Sequence, residues 1–305
     1  EDALVEIASC CDGIAAIVGL PILTADGTIS AAALIQDRKV LRYIGKKYIT
    51  ARREMGFLVP SKGYEYATIK GHKCAIIVGD DLSRERDFYQ SVETVISINA
   101  RKYGKGTMTY RYEMMRNLAF VESKNLVLVN QVGGSTDIVY DGTSGALNSR
   151  GELVLMMKNF EEDFQIFDTK ASARPISIPS TYNDRTRLVY EAARCGLRDF
   201  FRKNGYRKAS IGLSGGIDSA VVASIAADAL GAENVRALLM PSPFSSLEWV
   251  EDAMELARNL GIEYNVIPIS EIYTSVVNTL KPVIGGTEFD ATEENIQTRI
   301  RTVLL

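Results

Sequence analysis

The residues with the clearest capacity for chemistry are SGGIDS, at positions 214–219. They follow a short apolar stretch at 209–213 and precede 220–230, where apolar residues recur at helical spacing. The pattern predicts a buried parallel strand, a glycine loop and a helix in succession. Paired glycines let a ligand approach the backbone closely, and the free N–H groups of a first helical turn attract phosphate. The residues predicted to contact phosphate are Gly212, Leu213, Ser214, Gly215, Gly216, Ile217, Asp218 and Ser219.

The loop has no positively charged side chain, because neither lysine nor arginine occurs between positions 209 and 233. The nucleoside-triphosphatase loop GxxxxGK[ST] places a lysine on the outer phosphates, so this loop is of a different kind. The hydroxyls of Ser214 and Ser219 add hydrogen-bond donors, and the carboxylate of Asp218 can hold a divalent cation. SGGIDS resembles the pyrophosphate loop of the ATP pyrophosphatases, which cleave ATP between the α and β phosphates and form an adenylate. The alternative interpretation is a structural glycine-serine turn between a core strand and a core helix.

Strand-like and helix-like patterns alternate through the second half of the chain. The predicted elements are helices at 188–203, 247–260 and 271–280, and strands at 209–213, 235–240 and 263–269. Regular β–α–β alternation favours a doubly wound parallel sheet, whose ligands bind at the carboxyl ends of the strands. SGGIDS and the loop at 241–246 both lie at such ends. One cleft is therefore predicted to take phosphates from the first loop and adenosine from the second.

The last stretch, 289–305, has the pattern of an amphipathic helix. Asp290 and Glu293 stand at capping-box spacing at its start. Its predicted buried face consists of Ile296, Ile300, Val303 and Leu304. An adjacent polar face, aligned at i, i+4 and i+7, consists of Asn295, Arg299 and Thr302. Spacing alone favours a solvated stripe for this polar face.

The first half is rich in predicted strands. The nearly continuous apolar run at 13–23 is predicted to be a central strand. The other predicted elements are hairpins at 31–41, 66–78 and 137–158, strands at 92–98 and 125–132, and a helix at 107–122. This mixture indicates an α/β or α+β layered domain. Near 168–187 the pattern lapses into small polar residues with Pro175 and Pro179, which indicates a linker.

Composition narrows the class of protein. The 305 residues carry a net charge of −3 and a sequence pI of about 5.5, which gives no electrostatic basis for binding nucleic acid or an anionic membrane. No apolar run approaches the roughly 20 residues that span a bilayer, so we expect a cytoplasmic protein with no membrane partner. Four scattered cysteines and one histidine argue against zinc and disulfides. Because the chain starts without Met and ends in a helical pattern, we expect a fragment of a longer protein.

Four motifs of the second half together resemble the synthetase domain of the glutamine-dependent NAD+ synthetases. They are IGLSGGIDS at 211–219, LMPSPFSS at 239–246, NLGIEY at 259–264 and TEENIQTRIR at 292–301. The first half is similar to the nitrilase-like glutaminase domain of the same family through GLP at 19–21, AAALIQDRKVL at 31–41, NQVGG at 130–134 and YDG at 140–142. The resemblance implies a nitrilase-like αββα sandwich at 1–169, a linker at 170–186, and a Rossmann-like, doubly wound parallel sheet of the ATP-pyrophosphatase type at 187–305.

The resemblance also implies an activity and its site residues. The family uses ATP and Mg2+ to adenylate the carboxylate of nicotinic acid adenine dinucleotide (deamido-NAD+), which ammonia then converts to NAD+. Ser214, Gly216, Asp218 and Ser219 would bind the ATP phosphates, with Asp218 on Mg2+. Met240 would meet the adenine, and Asn295 and Arg299 would lie on the dinucleotide substrate. A homo-oligomer that acts on small molecules, with nitrogen from glutamine or ammonia, is expected.

The glutaminase half departs from its family's pattern. The family's nucleophilic cysteine is replaced by Gly79, and Lys46 stands where the catalytic lysine is expected but lacks the usual His-Leu-Pro after it. Arg101 replaces a glutamine-binding serine, and the glutamate base would precede Glu1. Cys74 is predicted to be a buried hydrophobe, not a substitute nucleophile. We therefore predict an impaired glutaminase that leaves free ammonia as the nitrogen source.

Two other functions fit parts of the sequence. Another ATP pyrophosphatase, similar to GMP synthetase or to a tRNA-modifying enzyme, would share the loop, although the low pI argues against tRNA. A non-catalytic assembly or ligand-sensing protein would fit the degenerate first half.

In the second half, Glu248 and Trp249 replace a His-Ser pair of the family, which alters the nucleotide contacts there.

Overall fold

The computed structural model describes residues 2–50, 52, 54–63, 66–84, 86–170, 174–182, 184–284 and 291–305. The chain divides into two compact units, Glu1–Leu188 and Val189–Leu305. The segment predicted to be a linker, 170–186, contains a 3-10 turn at Ser180–Tyr182 and the first residues of a long helix. No helix among the described residues combines the length and apolarity needed to cross a membrane.

The first unit contains two helices and eleven strands among its described residues. They are α1 (Asp2–Cys10), β1 (Ala15–Thr24), β2 (Gly27–Gln36), β3 (Lys39–Gly45), β4 (Tyr66–Ile69), β5 (His72–Val78), β6 (Thr94–Asn99), α2 (Thr107–Glu122), β7 (Asn125–Asn130), β8 (Val132–Ser135), β9 (Ile138–Asp141), β10 (Gly145–Leu147) and β11 (Leu153–Met156). One sheet has the order β1-β2-β3, and a second has the order β11-β10-β7-β6-β5-β4. In the larger sheet β5, β6 and β7 are parallel, whereas β4, β10 and β11 pair antiparallel.

Alternation along β5 explains how the layers of this unit pack. Ile76 and Val78 point to one face of the larger sheet and pack against Leu34 of the smaller sheet. Ala75 and Ile77 point to the opposite face, in the same core as Met115 and Leu118 of α2. On the outer face of the smaller sheet, Ala33 and Ile35 pack with Ala8 of α1. The layers therefore run helix, sheet, sheet, helix, which confirms the predicted αββα sandwich.

The sequence placed the central strand of the smaller sheet wrongly. The apolar run at 13–23 becomes β1, an edge strand whose Leu23 is 83% exposed. The central strand is β2, which pairs with both β1 and β3 and buries residues 31–35 on both faces. Small alanines allow β2 to lie between helix α1 and the larger sheet. The hydrophobicity of β1 reflects packing on both faces of the sheet, with Ile17 toward the larger sheet and Val18 toward α1, and it does not require a strand partner at both edges.

Most other elements of the first unit follow the predicted pattern. Asp37 and Arg38 form the β2–β3 turn with positive φ angles of 49° and 63°, and α2 has the predicted bounds. The β4–β5 turn lies at Lys70-Gly71, because His72 already pairs with Ile69. The strand predicted at 125–132 divides into β7 and β8. The hairpin predicted at 137–158 divides between the β8–β9 pair and the β10–β11 pair, and the chain turns between β10 and β11 at 148–151.

The second unit alternates strands and helices. Its elements are α3 (Arg185–Asn204), which begins just before the division, then β12 (Ala209–Gly212), α4 (Ile217–Leu230), β13 (Val235–Leu239), α5 (Leu247–Leu260), β14 (Glu263–Val266), α6 (Ser270–Ile284) and α7 (Ala291–Leu304). The three strands are parallel, in the order β12-β13-β14. The predicted parallel α/β arrangement is confirmed.

Two helices of this unit bury a different set of residues from the one that apolar spacing suggests. The buried face of α4 is made by Ala223, Ala226 and Ala227, whereas the larger Val221 is 45% exposed. Alanines face the sheet because they let the helix approach it closely. In α7, Ile300 is buried as predicted, but Val303 is 86% exposed. The capping box proposed at Asp290 and Glu293 lies outside the described residues and side chains.

Candidate functional site

The loop after β12 is closed by its own serine hydroxyls. Ser214 N–H donates to Ser219 Oγ at 3.2 Å, and Gly216 N–H donates to Ser214 Oγ at 3.3 Å. Ser219 Oγ in turn donates to the carbonyl of Gly216 at 2.9 Å. These bonds fix the loop before any ligand arrives, so little conformational entropy is lost on binding.

Helix α4 begins at the end of this loop. Gly216 is its N-cap, in an extended conformation with no side-chain cap, and the first backbone bond joins Ala220 N–H to Gly216 carbonyl at 3.2 Å. The amides of the first turn therefore have no acceptor within the helix and carry the positive end of its dipole. Asp218 and Ile217 are exposed there, and Ile217 is 76% exposed. The arrangement suits an anionic group such as phosphate.

Gly215 is the position where this loop needs glycine most. Its φ is +86°, and a Cβ built on it would lie 2.2 Å from the carbonyl oxygen of Trp249. The contact arises because the first turn of α5 packs directly on the loop, where Ser246 caps the helix by accepting from Trp249 N–H at 3.2 Å. The glycine pair thus serves close packing as well as ligand access.

A cavity of about 660 Å3 opens beside the loop, within the second unit. The predicted site residues Gly212, Leu213, Ser214 and Met240 line it. The other lining residues are Leu238, Leu239, Pro241, Ser242, Phe244, Ser245, Trp249, Val250, Glu294, Gln297, Thr298, Arg301, Thr302 and Leu305. The carboxyl ends of β12 and β13 therefore meet at one cleft, as the strand alternation predicts.

Several predicted residues lie outside the lining of this cavity. Gly215, Gly216, Ile217, Asp218 and Ser219 continue from its edge along the loop into α4. Asn295 and Arg299 are on exposed positions of α7. The dinucleotide contacts of those two side chains stay predictions.

Sequence reasoning missed the α7 residues that do line the cavity. Gln297 is buried, and Arg301 donates from Nε to the carbonyl of Met240 at 3.2 Å. Gln297 comes directly after Ile296, and Arg301 directly after Ile300, in the predicted buried face of α7. Their place at the boundary between the apolar and polar faces was the signal in the sequence that could have identified them. It did not stand out because polar residues at such boundaries are usually solvated.

In the first unit, the structure brings the two predicted glutaminase positions together. Lys46 is 4% exposed, and its Nζ lies 2.7 Å from Glu54 Oε2. A Cβ built on Gly79, whose φ is +66°, would lie 3.2 Å from Lys46 Cε and 3.4 Å from Nζ. The side chain of Lys46 therefore fills the space in front of Gly79.

The groups around Gly79 are also paired with one another. Asp80 forms an ion pair with Arg101, and the buried Asp81 accepts from the N–H groups of Lys47 and Tyr48 at 2.6 and 3.1 Å. Cys74 is buried as predicted, and burial, with Glu93 nearby, raises the pKa of its thiol. A thiol with a raised pKa is a weak nucleophile at neutral pH.

Comparison with known proteins identifies what each unit resembles. Residues 189–305 match the model of the NAD synthase family, and these residues are the second compact unit. This part of the chain is an NAD synthase domain. The whole chain is homologous to glutamine-dependent NAD(+) synthetases: it is 33% identical to that of Acinetobacter baylyi over 285 residues, or 90% of this chain and 53% of the relative. The Synechocystis relative is 35% identical over 298 residues, with 90% and 53% covered.

Solved structures show that the resemblance includes the first unit as well as the NAD synthase domain. The glutamine-dependent NAD+ synthetase from Acinetobacter baumannii, in complex with adenosine diphosphate, matches with a TM-score of 0.88 and 32% identity, over 99% of this chain and 60% of that chain. The enzyme from Cytophaga hutchinsonii shares the fold, with a TM-score of 0.81 and 17% identity over 98% and 60%. The chain spans a little over half the length of the relatives it matches.

Proposed function

We propose that this chain, or the protein of which it is part, is a C–N bond-forming ligase that amidates deamido-NAD+ to NAD+ at the expense of ATP. The observation that carries the proposal is the hydroxyl-fixed SGGIDS loop, which ends on a helix N-terminus beside a cavity in an NAD synthase domain. The relative from Acinetobacter baumannii is recorded with bound adenosine diphosphate, which supports nucleotide binding.

The reaction consists of two nucleophilic substitutions, the first at phosphorus and the second at an acyl carbon. A carboxylate oxygen of deamido-NAD+ attacks the α-phosphorus of ATP, the bond to the bridging oxygen breaks, and pyrophosphate leaves. Ammonia then attacks the acyl carbon, AMP leaves with the former carboxylate oxygen, and a proton is released to water. The amides at the start of α4 would stabilise the charge on the phosphates, while the hydroxyls of Ser214 and Ser219 hold the loop that presents these amides. Met240, at the end of β13, would contact the adenine.

Mg2+ fits the residues of this loop. Asp218 is exposed in the first turn of α4, and magnesium is commonly held by one or two carboxylates together with substrate phosphates. The part of the chain that is described contains no group of three or more His, Cys, Asp or Glu side chains that could hold a metal without a substrate. When bound, the ion would neutralise charge on the departing pyrophosphate.

We infer that the nitrogen comes from free ammonia, not from glutamine. Amide hydrolysis by this fold needs a thiolate, and Gly79 has no side chain. The ammonium of Lys46 is neutralised by Glu54, and its aliphatic chain occupies the space in front of Gly79. The first unit would then serve assembly or regulation.

The remaining expectations belong to the same proposal. Asn295 and Arg299 would contact the dinucleotide substrate, residues 170–186 would link domains 1–169 and 187–305, and the protein would be a cytoplasmic homo-oligomer. Its substrates would be small molecules, with no nucleic acid partner, in agreement with a net charge of −3.

One assay tests the proposal. The full-length protein is incubated with ATP, Mg2+ and deamido-NAD+, and with ammonium or glutamine, and AMP and NAD+ are quantified. We expect turnover with ammonium and none above background with glutamine. Absence of AMP with both nitrogen sources would refute the enzymatic function, and equal rates with both would refute the inference about ammonia.

A further inference from the structure

The wall of the nucleotide cavity has an uneven charge distribution. Among the described residues that line it, Arg301 is the only cation. Glu294 also lines it, but the two side chains form no ion pair within 4.0 Å. Within the part of the chain that the structure describes, no carboxylate pairs with Arg301, whereas two other half-buried arginines of this unit do have one: Arg194 pairs with Glu191 at 2.7 Å and Arg198 with Asp199 at 3.3 Å. A cation that is partly removed from water usually has an anionic partner.

The position of Arg301 follows from the hydrogen bonding at the end of β13. The carbonyls of Leu238, Leu239 and Pro241 accept from Leu213, Ile267 and Ile269 at 3.0, 2.7 and 2.9 Å. The intervening carbonyl of Met240 points to the side where β12 has already ended. Arg301 reaches across from α7 and donates its Nε to that carbonyl.

Among the described residues this is the one hydrogen bond of the guanidinium, so it holds the group beside the cavity and engages one of its donors. Five N–H groups are available on an arginine side chain, so the outer nitrogens are still able to bind an oxyanion. Burial lowers the pKa of Arg301 from its usual value, but the group keeps its charge at neutral pH. The geometry therefore combines a held orientation with a charge that no carboxylate among the described residues pairs with.

We propose that Arg301 is a second anion-binding residue of this cavity, separate from the SGGIDS loop, and that it binds an oxyanion of the nucleotide or dinucleotide ligand. The inference rests on the proposed function, because it takes the ligand of the cavity to be one of that reaction's substrates. The anion is either a phosphate oxygen or the carboxylate that the reaction activates. Both offer two oxygens in the plane that a guanidinium recognises.

Two ligand pairs distinguish the sources. AMP and adenosine differ by a phosphate, and deamido-NAD+ and NAD+ differ by a carboxylate in place of an amide. Trp249, the one tryptophan of the sequence, lines the same cavity, so its fluorescence reports binding without any turnover. Dissociation constants are measured for Arg301→Met, Arg301→Lys and wild type.

We expect Arg301→Met to bind the member of one pair that carries the additional anionic group about 10- to 100-fold more weakly, and the member that lacks this group within about 2-fold of wild type. A loss for AMP but not for adenosine identifies phosphate, and a loss for deamido-NAD+ but not for NAD+ identifies the carboxylate. Arg301→Lys, which keeps the charge but not the fork, should lie between the two. Arg236→Met is the matched control, because Arg236 is exposed and pairs with Glu263 away from the cavity.

Equal losses for both members of both pairs would overturn the proposal, since Arg301 would then only support the end of β13. Unchanged affinities, or a wild-type protein that binds neither AMP nor deamido-NAD+, would overturn it as well. These results can be told apart from a failure of the proposed function. Unchanged affinities in a protein that forms AMP refute the anion site alone, and Arg301-dependent binding in a protein that forms no AMP refutes the activity alone.

Discussion

The loop at 214–219 and the surroundings of Gly79 follow strands in the two units, but they satisfy their polar groups differently. In the loop, serine hydroxyls bond to the backbone and leave the first amides of α4 directed outward. Around Gly79, the charges of Lys46 and Asp80 are matched by Glu54 and Arg101 within the protein. The loop therefore keeps backbone amides available to a ligand, whereas the charged groups around Gly79 are already engaged within the protein.

The largest effect is expected from Gly215→Ala. The new methyl group would meet the Trp249 carbonyl at 2.2 Å in a left-handed backbone conformation, so the loop or the start of α5 must move. We expect a loss of about 2–4 kcal/mol in the free energy of unfolding, and no measurable ATP binding. Thermal unfolding and fluorescence titration measure the two quantities.

Gly205→Ala is the control for backbone strain, because Gly205 has a similar φ of +73° but open space around it. This variant should lose only about 1 kcal/mol in the free energy of unfolding and keep its affinity for ATP. If the two variants behave alike, the packing of α5 on the loop has no part in shaping the site.

The ion pair in the first unit gives the next largest effect, and there the change should be in stability. Glu54→Gln leaves the ammonium of Lys46 buried without its partner, while Lys46→Met removes the charge and keeps the aliphatic chain. Glu54 is itself one-third exposed, so we expect Glu54→Gln to lower the free energy of unfolding by about 1–3 kcal/mol, and Lys46→Met to lower it by less. Chemical denaturation measures both, and a larger loss for Lys46→Met would contradict the view that the pair is a matched, filled site.

How far the sequence predicts each region depends on whether its information is local. The strand, loop and helix at 209–230 were predicted because glycine pairs and helical spacing lie within 22 residues, and α5 was predicted at 247–260 for the same reason. The contact of Gly215 with Trp249 and the reach of Arg301 to Met240 join positions far apart in the chain, and no local pattern encodes them. The central position of β2 was missed because hydrophobicity does not reveal which strand lies between two partners.

Restoring a thiol at position 79 is a direct attempt to remove the difference between the two regions. We expect Gly79→Cys to show no glutamine-dependent synthesis and to lose about 1–2 kcal/mol of stability, since the residue has φ +66° and its Cβ would press on Lys46 Cε at 3.2 Å. Ammonium-dependent synthesis by the same preparation is the control for an intact second unit. Appearance of glutaminase activity would show that the site around Gly79 lacks nothing but the sulfur atom.

The smallest effect concerns Cys74, a buried thiol on β5, the strand that ends just before Gly79. Burial raises the pKa of Cys74, so the folded protein favours the neutral thiol at this position. The fraction of thiolate stays low until the pH exceeds the pKa of an ordinary cysteine. Cys10 is exposed at the end of α1. With limiting iodoacetamide at pH 8, mass spectrometry should therefore find Cys10 alkylated well before Cys74, and the same order should reverse or vanish only after unfolding. Preferential labelling of Cys74 in the folded protein would reveal a reactive nucleophile in the first unit. The first unit would then resemble the loop at 214–219, because both regions would retain a group able to act on a ligand.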